Sequence, residues 1–247
     1  MKIDLTDRVA LVTGATSELG RVMARTLAAC GARVAIHYHQ SADKAAALQR
    51  ELPGSCVVQA DVTKQAEVER MRDDVVRQLG APAIIVNNAV IQYTWTKVLE
   101  QKPDDYRSQF ESCVLHNVLM AQAFVPAMIA KKKGRVIGIN TECAMQNWPN
   151  QSAYVSGKRG MDGVLRVLAK EVGEHGITVN QVAPGWTVSE NRPETDATEW
   201  YRKQVPLRRR GVDQEIANVV AFLASDLASF ITGAYIPVCG GNVMPGI

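Results

Sequence analysis

The segment VALVTGATSELG, Val9 to Gly20, joins a β-branched run, a glycine-containing turn and the start of an amphipathic helix. Val9–Thr13 has the apolar composition of a buried strand. Gly14 lets backbone N–H groups approach a pyrophosphate, and the N-terminus of the following helix favours its negative charge. The segment therefore predicts a strand, a phosphate-binding turn and a helix.

The same alternation of strand and helix patterns continues along the chain. The predicted strands are Val9–Thr13, Arg33–Tyr38, Cys56–Ala60, Ala83–Asn87, Arg135–Asn140, Thr178–Ala183 and Tyr235–Val238. The predicted helices are Leu19–Ala29, Ala42–Glu51, Gln65–Leu79, Asp104–Ala130, Ala153–Gly173 and Gln214–Ser225. This order predicts one α/β domain over residues 1–247, with a doubly wound parallel sheet of the Rossmann type. Pro237 places the last strand at an edge of the sheet or at its own end.

Composition and charge indicate a soluble, cytoplasmic protein. A net charge of +3 over 247 residues gives no reason to expect a nucleic-acid partner, and the runs Lys131–Lys133 and Arg208–Arg210 suit solvated loops or subunit contacts. Five widely spaced cysteines indicate reduced thiols rather than disulfides or a metal site. Asp4 and Asp7 argue against a signal peptide, and no apolar stretch is expected to approach the 18 residues of a membrane span.

The segment YVSGK places Tyr154 and Lys158 one helical turn apart on the same face. A neighbouring cation favours phenolate, so Lys158 is expected to lower the pKa of Tyr154. A tyrosine tuned in this way can serve as the general acid or base at a carbonyl or alcohol. Thr141, thirteen residues earlier, directly follows the predicted strand Arg135–Asn140 and carries a hydroxyl.

Over nearly its full length the chain resembles the 3-oxoacyl reductase-like branch of the short-chain dehydrogenase/reductase family. The resemblance rests on YVSGK and on TGATSELG (13–20), Asp61-Val62, Asn87-Asn88-Ala89, Pro184-Gly185, and the tail from Pro206 through Ile231–Gly233 to Gly240-Gly241. It implies nicotinamide chemistry, with Tyr154 as acid/base, Lys158 binding the nicotinamide ribose and Thr141 binding the substrate oxygen. It also implies a cofactor site formed by Gly14, Thr16, Ser17, Leu19, Tyr38, His39, Ser41, Asp61, Val62, Asn88, Ala89, Lys158, Pro184, Gly185 and Thr187.

Four positions depart from the family pattern. Glu18 replaces a glycine of the phosphate turn, and we expect its side chain to point outward from the helix N-terminus. Val90 replaces the last glycine of the fourth-strand motif, which favours a negative φ there. Cys113 stands at the usual relay asparagine, for which Asn117 one turn later is a candidate substitute. Thr141 replaces the usual serine and keeps the hydroxyl.

The residues after the second strand favour NADPH as the cofactor. Tyr38 stands where NAD-preferring members carry an aspartate, and His39 and Ser41 can donate to a 2′-phosphate. No arginine occupies the usual phosphate-binding places, so NADH remains an alternative. His37 and His39 lack partner ligands in the sequence, and no metal site is predicted.

Substrate recognition is assigned to three loops, with Gln92, Trp95, Met145, Trp148 and Trp186 as candidate contacts. With Trp200 these tryptophans are expected to form an aromatic wall; the alternative is that they serve packing or an interface. Residues of about 187–212 are predicted to form a lid over the site. The resemblance implies a small carbonyl or alcohol substrate and a homotetramer or homodimer. The alternative hypothesis, suggested by the four departures, is a catalytically weakened nucleotide-binding protein that acts through ligand or partner binding.

Overall fold

Seven parallel strands form the central sheet of the computed structural model, counted over the residues that it describes, 2–189, 192–195 and 198–246. In sheet order they are β3 (Cys56–Gln59), β2 (Arg33–Tyr38), β1 (Val9–Val12), β4 (Ile84–Asn87), β5 (Gly134–Ile139), β6 (Ile177–Pro184) and β9 (Tyr235–Val238). The order reverses between β1 and β4, so the loops after these strands diverge and leave a crevice. Two short strands, β7 (Thr187–Val188) and β8 (Gly211–Val212), form a separate ribbon.

Helices cover both faces of the sheet. Their bounds are α1 (Glu18–Ala29), α2 (Ala42–Glu51), α3 (Gln65–Leu79), α4 (Pro103–Gln109), α5 (His116–Lys131), α6 (Cys143–Gln146), α7 (Ser152–Val172), α8 (Glu199–Gln204) and α9 (Asp213–Ala224). One apolar core contains Leu27 and Ile216, and the core on the opposite face contains Phe124 and Leu165. The predicted doubly wound α/β domain of the Rossmann type is confirmed.

The predicted strands and long helices agree with the structure to within one or two residues. One difference is the predicted helix 104–130, which consists of α4, a π-helical segment (Phe110–Leu115) and α5. The short elements α6, α8, β7 and β8 were not predicted, because helices of four or six residues and strands of two residues carry too little periodicity to be recognised. The last three of these lie in the predicted lid, of which residues 190, 191, 196 and 197 are outside the described residues.

The continuous helix Pro103–Lys131 is long and apolar enough to cross a membrane, with a mean hydropathy of 1.6 over 18 residues. The expectation that no apolar stretch approaches this length is therefore wrong. In the structure the helix packs as a core helix, since Met120, Phe124 and Met128 are buried under the sheet. Burial between α3, α7 and the strands accounts for part of its apolar surface, since 44% of the apolar window is buried.

Candidate active site

The glycine turn after β1 leaves no room for side chains. Gly14 has φ of +61°, and a Cβ there would lie 3.1 Å from the Cα of Ala89. A Cβ on Gly20 would lie only 2.2 Å from the Gly14 carbonyl oxygen. Ser17 caps α1, because its hydroxyl accepts a hydrogen bond from the Gly20 N–H at 3.1 Å. The turn and the helix N-terminus therefore fit a dinucleotide pyrophosphate.

The loop after β4 is bonded directly to this turn. The Asn88 amide nitrogen donates to the carbonyl oxygens of Thr13 and Gly14 at 3.0 and 3.1 Å. The Thr13 hydroxyl oxygen accepts from the backbone N–H groups of Asn88 and Ala89 at 2.9 and 3.1 Å. The structure thus brings the predicted residues Gly14, Ser17, Asn88 and Ala89 together at the sheet crevice. Thr16 and Leu19 lie in the same turn and first helical residues.

A buried histidine that was not predicted to bind the cofactor also supports the turn. The Nδ1 atom of His37 accepts from the Gly14 N–H at 3.0 Å, and its Nε2 donates to the Ala60 carbonyl oxygen at 3.0 Å. Burial lowers the pKa of His37 to about 4, so the imidazole is neutral at physiological pH. Both ring nitrogens are engaged, which leaves no free nitrogen for a metal.

Glu18 does not point outward as expected. Its Oε2 accepts a hydrogen bond from the Ser189 hydroxyl, and Arg192 Nε lies 3.7 Å from the same oxygen. The carboxylate therefore ties the first turn of α1 to the segment after β7. Val90 is absent from the described non-glycine residues with positive φ, as its β-branched side chain predicts.

The predicted adenosine-side residues lie at the carboxyl ends of β2 and β3. Tyr38 ends β2, His39 is exposed beside it, and Ser41 precedes α2. Asp61 and Val62 follow β3, and the Asp61 carboxylate accepts hydrogen bonds from Thr63. Pro184, Gly185 and Thr187 lie at the end of β6 and the start of β7. All of them lie at the carboxyl ends of the strands, as the phosphate turn does.

The carboxyl ends of the strands also carry a group of three residues: Thr141, which follows β5, and Tyr154 and Lys158 of α7. The Lys158 Nζ lies 5.7 Å from the Tyr154 ring centroid and donates to the Ile139 carbonyl oxygen at 2.6 Å. The Thr141 carbonyl oxygen accepts from the Tyr235 hydroxyl at 2.5 Å, and its own hydroxyl accepts from the Cys143 N–H at 3.2 Å. These contacts fix the threonine at the end of β5, facing the tyrosine.

The electrostatics of the pair differ from the prediction. Burial raises the pKa of Tyr154, and a hydrogen bond with the Thr141 side chain opposes this rise only in part. Burial also lowers the pKa of Lys158. Desolvation therefore outweighs the expected influence of the ammonium on the phenol. The phenol is held in its protonated form, which is the form that a proton donor requires.

The π-helical segment Phe110–Leu115 contains the position at which the family usually has its relay asparagine. Cys113 is buried within it, with its Sγ 3.9 Å from Gln109 Oε1. Asn117 Nδ2 donates to the Cys113 carbonyl oxygen at 2.6 Å, and its Oδ1 accepts from Asn87 at 2.7 Å. Asn117 thus bonds to β4 and to its own helix, rather than to Lys158.

One tryptophan contacts Tyr154, and the other three contact one another. Trp95 is stacked on Tyr154, with centroids 5.7 Å apart, whereas Trp200 packs against both Trp148 and Trp186 at 5.6 and 6.0 Å. All four tryptophans of the chain belong to these contacts, and each is more than a third exposed. Gln92 is exposed near Trp95, and the half-buried Met145 lies in α6.

Several residues of this region were not identified from the sequence. Glu142 is a buried carboxylate directly after Thr141, bonded to Tyr201 and Asn242. Arg210 is buried, and its guanidinium donates to the carbonyl oxygens of Trp186, Thr187 and Pro193. The assignment of the whole arginine run to solvated loops or subunit contacts is therefore wrong for Arg210. Burial of a charged residue inside a loop has no signal in the sequence.

A phosphate-binding turn next to a tyrosine, a lysine and a threonine is the arrangement of a nucleotide-dependent oxidoreductase. The profile of a family described as enoyl-(acyl carrier protein) reductase matches residues 14–242. A 3-oxoacyl-[acyl-carrier-protein] reductase FabG of Staphylococcus epidermidis is 39% identical over 246 residues, 96% of this chain and 100% of that protein. The FabG of Pseudomonas aeruginosa is 36% identical over 250 residues, 98% of this chain and 100% of that protein. The 3-oxoacyl-[acyl-carrier-protein] reductase of Synechocystis is 34% identical over 245 residues, which cover 97% of this chain and 98% of that protein.

The chain belongs to the short-chain dehydrogenase/reductase family. It is an NAD(P)-dependent oxidoreductase that acts on a carbonyl group, and the alternative of a weakened nucleotide-binding protein is not favoured.

Proposed function

We propose that this protein is an NADPH-dependent reductase of 3-oxo thioesters or related ketones, with Tyr154 as proton donor. The observation that carries the proposal is the convergence of Tyr154, Thr141 and the buried Lys158 beside the phosphate turn. A nicotinamide bound here supplies the hydride. Tyr154 then protonates the carbonyl oxygen, while the Thr141 hydroxyl donates a hydrogen bond to the same oxygen as negative charge develops there.

The protonation states favour reduction over oxidation at neutral pH. Tyr154 holds its proton because burial raises its pKa, so it is ready to act as an acid. Oxidation of the alcohol requires the phenolate, which forms only in more alkaline solution. Lys158, fixed through the Ile139 carbonyl oxygen, lies 5.7 Å from the centroid of the phenol ring and is placed to bind the nicotinamide ribose.

The cofactor preference rests on the surface after β2. His39 is exposed there, and Tyr38 contributes no carboxylate that would repel a 2′-phosphate. Gly14, Thr16, Ser17, Leu19 and Asn88 are assigned to the pyrophosphate side of the cofactor. Pro184, Gly185, Thr187 and Ala89 are assigned to the nicotinamide side.

For the substrate, the names of the relatives and the tryptophans give complementary support. The relatives are 3-oxoacyl-[acyl-carrier-protein] reductases, and a 3-oxo thioester carries the ketone that Tyr154 would protonate. Trp95, Trp148 and Trp186 provide an apolar surface for the rest of the molecule. The segment 187–212 is assigned as the lid, because it carries α8 and Trp200 over the Thr141 loop.

We assign the chain to a cytoplasmic homo-oligomer. A groove of about 440 Å³ is lined by Tyr106, Arg107, Phe110, Glu111, Leu115, Ser156 and Gly157. The side chains of Phe110 and Leu115 are exposed in this groove, and the same face of a second copy would bury them around a twofold axis. All five cysteines are free thiols, as suits a reducing compartment.

The test uses acetoacetyl-CoA and crotonyl-CoA with NADPH. The first probe carries a 3-oxo group and the second an enoyl double bond, so the pair separates the activities named by the relatives and by the family profile. We expect the wild-type protein to reduce acetoacetyl-CoA, and Tyr154→Phe to lose at least about 100-fold in kcat. NADPH affinity of the variant should be unchanged. A Tyr154→Phe protein that works at the wild-type rate, or a wild-type protein that reduces only crotonyl-CoA, would contradict the proposal.

A further inference from the structure

Three other segments of the chain bond to Glu142, a residue that is only 3% exposed. The Tyr201 hydroxyl, on α8, donates to Glu142 Oε1 at 2.7 Å. Asn242, in the segment after β9, donates to Oε2 at 3.1 Å. The backbone N–H of Glu142 donates to the Pro184 carbonyl oxygen at 2.9 Å. The residue next to Thr141 therefore holds the lid helix, the C-terminal segment and the end of β6 together.

Tyr201 extends this network to the tryptophans. Its hydroxyl oxygen accepts a hydrogen bond from the backbone N–H of Trp186 at 2.8 Å. Its ring packs edge-on against the rings of Trp186 and Trp200, at centroid distances of 5.5 and 6.0 Å. A Cβ on Gly185 would lie 2.7 Å from the Tyr201 hydroxyl oxygen, so glycine is what permits this approach. The Tyr201 hydroxyl thus bonds both to the Glu142 carboxylate and to the Trp186 backbone.

A carboxylate in this position is costly unless both of its oxygens are bonded. Burial raises the pKa of Glu142, while the hydrogen bonds from Tyr201 and Asn242 favour its charged form. A fully bonded buried network selects one arrangement, because any shift of its members leaves a charge without partners. The network therefore opposes displacement of α8 from the Thr141 loop.

We propose that Glu142 and Tyr201 are positioning residues that fix α8, and with it Trp186 and Trp200, against the catalytic loop in the arrangement that receives substrate. Neither residue is assigned to the reacting atoms, and Glu142 acts through the Tyr201 hydroxyl. The kinetic consequence rests on the proposed carbonyl reductase function, whereas the consequence for the order of α8 does not.

The experiment compares Tyr201→Phe and Glu142→Gln with the wild-type protein. Amide hydrogen exchange of residues 199–205 is measured with saturating NADPH, followed by steady-state reduction of acetoacetyl-CoA. We expect exchange in 199–205 to quicken about tenfold in Tyr201→Phe, as expected when one hydrogen bond of a buried charge is lost. The KM for acetoacetyl-CoA should rise about tenfold, with kcat within about twofold and NADPH affinity unchanged. Glu142→Gln should give a smaller effect, since its amide oxygen can still accept from Tyr201.

The matched control is Glu199→Gln, on the same helix, where the exposed carboxylate pairs with Lys203 at 2.9 Å. Its exchange and kinetics should match those of the wild type. Unchanged exchange in 199–205 of Tyr201→Phe would overturn the proposal, as would an equal increase in 199–205 and in β6, which indicates general loss of stability. If the wild-type protein fails to reduce the probe, the proposed function is wrong, while the exchange result still decides the role of the network.

Discussion

The indole of Trp95 lies over the phenol of Tyr154, with the two ring centroids 5.7 Å apart and 27° between the planes. Trp95 thereby shields Tyr154 from water, and burial is the main reason that the pKa of the tyrosine is raised. The stacked indole is itself 44% exposed, so it separates Tyr154 from solvent. Trp95 therefore affects both the pKa of Tyr154 and the access of water to it.

Trp95→Ala is expected to lower the pKa of Tyr154, because water reaches the phenol more easily. The alkaline rise of alcohol oxidation should then begin at lower pH than in the wild type, measured with NADP⁺ and 3-hydroxybutyryl-CoA. Trp95→Phe keeps an aromatic cover and serves as the control, with a smaller shift. A profile that does not move in Trp95→Ala would show that the indole contributes no desolvation.

The role of the Thr141 hydroxyl is tested by two substitutions, one that removes the hydroxyl and one that keeps it. Thr141→Val keeps the shape of the side chain but removes the hydroxyl, and kcat should fall about 100-fold or more. Thr141→Ser keeps the hydroxyl and should remain within about tenfold of the wild type. Both variants should bind NADPH normally, as measured by its fluorescence. Equal rates for the valine and serine variants would mean that the hydroxyl takes no part in the reaction.

Glu18 places a negative charge at the first turn of the phosphate-binding helix, held by Ser189 and close to Arg192. Glu18→Gln removes this charge and releases Arg192, so NADPH should bind about fivefold more tightly, which corresponds to about 1 kcal/mol. The gain should shrink as salt is added, because ions screen the repulsion. Glu51→Gln, at an exposed pair with Arg25, is the control and should change nothing. Weaker NADPH binding by Glu18→Gln would show that the tie to Ser189 matters more than the charge.

His37 should make the folded state sensitive to acid. Its pKa is about 4 in the folded protein because of burial, against an ordinary value of 6.5. The unfolded chain therefore binds the proton first as pH falls below 6.5, and protonation favours unfolding. The contribution of His37 to stability is complete above pH 6.5 and is lost toward pH 4, by up to about 3 kcal/mol.

The measurement is the thermal midpoint between pH 4 and 7. In His37→Asn the side-chain oxygen can still accept from the Gly14 N–H but does not titrate, so the decline toward acid should be shallower. The buried His116, whose pKa burial lowers to about 3, remains in both proteins and contributes the same slope to each. Identical slopes in the two proteins would contradict the role assigned to His37.

The sequence was sufficient for the sheet, the long helices and the main motif residues. Strand runs such as Arg33–Tyr38 and helices such as Gln65–Leu79 carry their periodicity locally, and motifs at strand ends must meet at one edge of a parallel sheet. It was not sufficient for the π-helical segment at Cys113 or for α8, whose conformations depend on the elements packed against them. The pKa of Tyr154 was predicted in the wrong direction, since spacing reveals the neighbouring Lys158 but not the desolvation of the phenol.

The sequence by itself thus determined the class of fold, the positions of Gly14, Tyr154 and Lys158, and the family chemistry, because these depend on local pattern and chain order. Only the tertiary structure decided that Glu18 bonds to the segment after β7, that His37 supports the glycine turn, and that Glu142 joins α8 to the Thr141 loop. These contacts link residues from 23 to 171 positions apart. Their formation depends on the burial and direction of side chains, which become defined only when the sheet and its helices have packed.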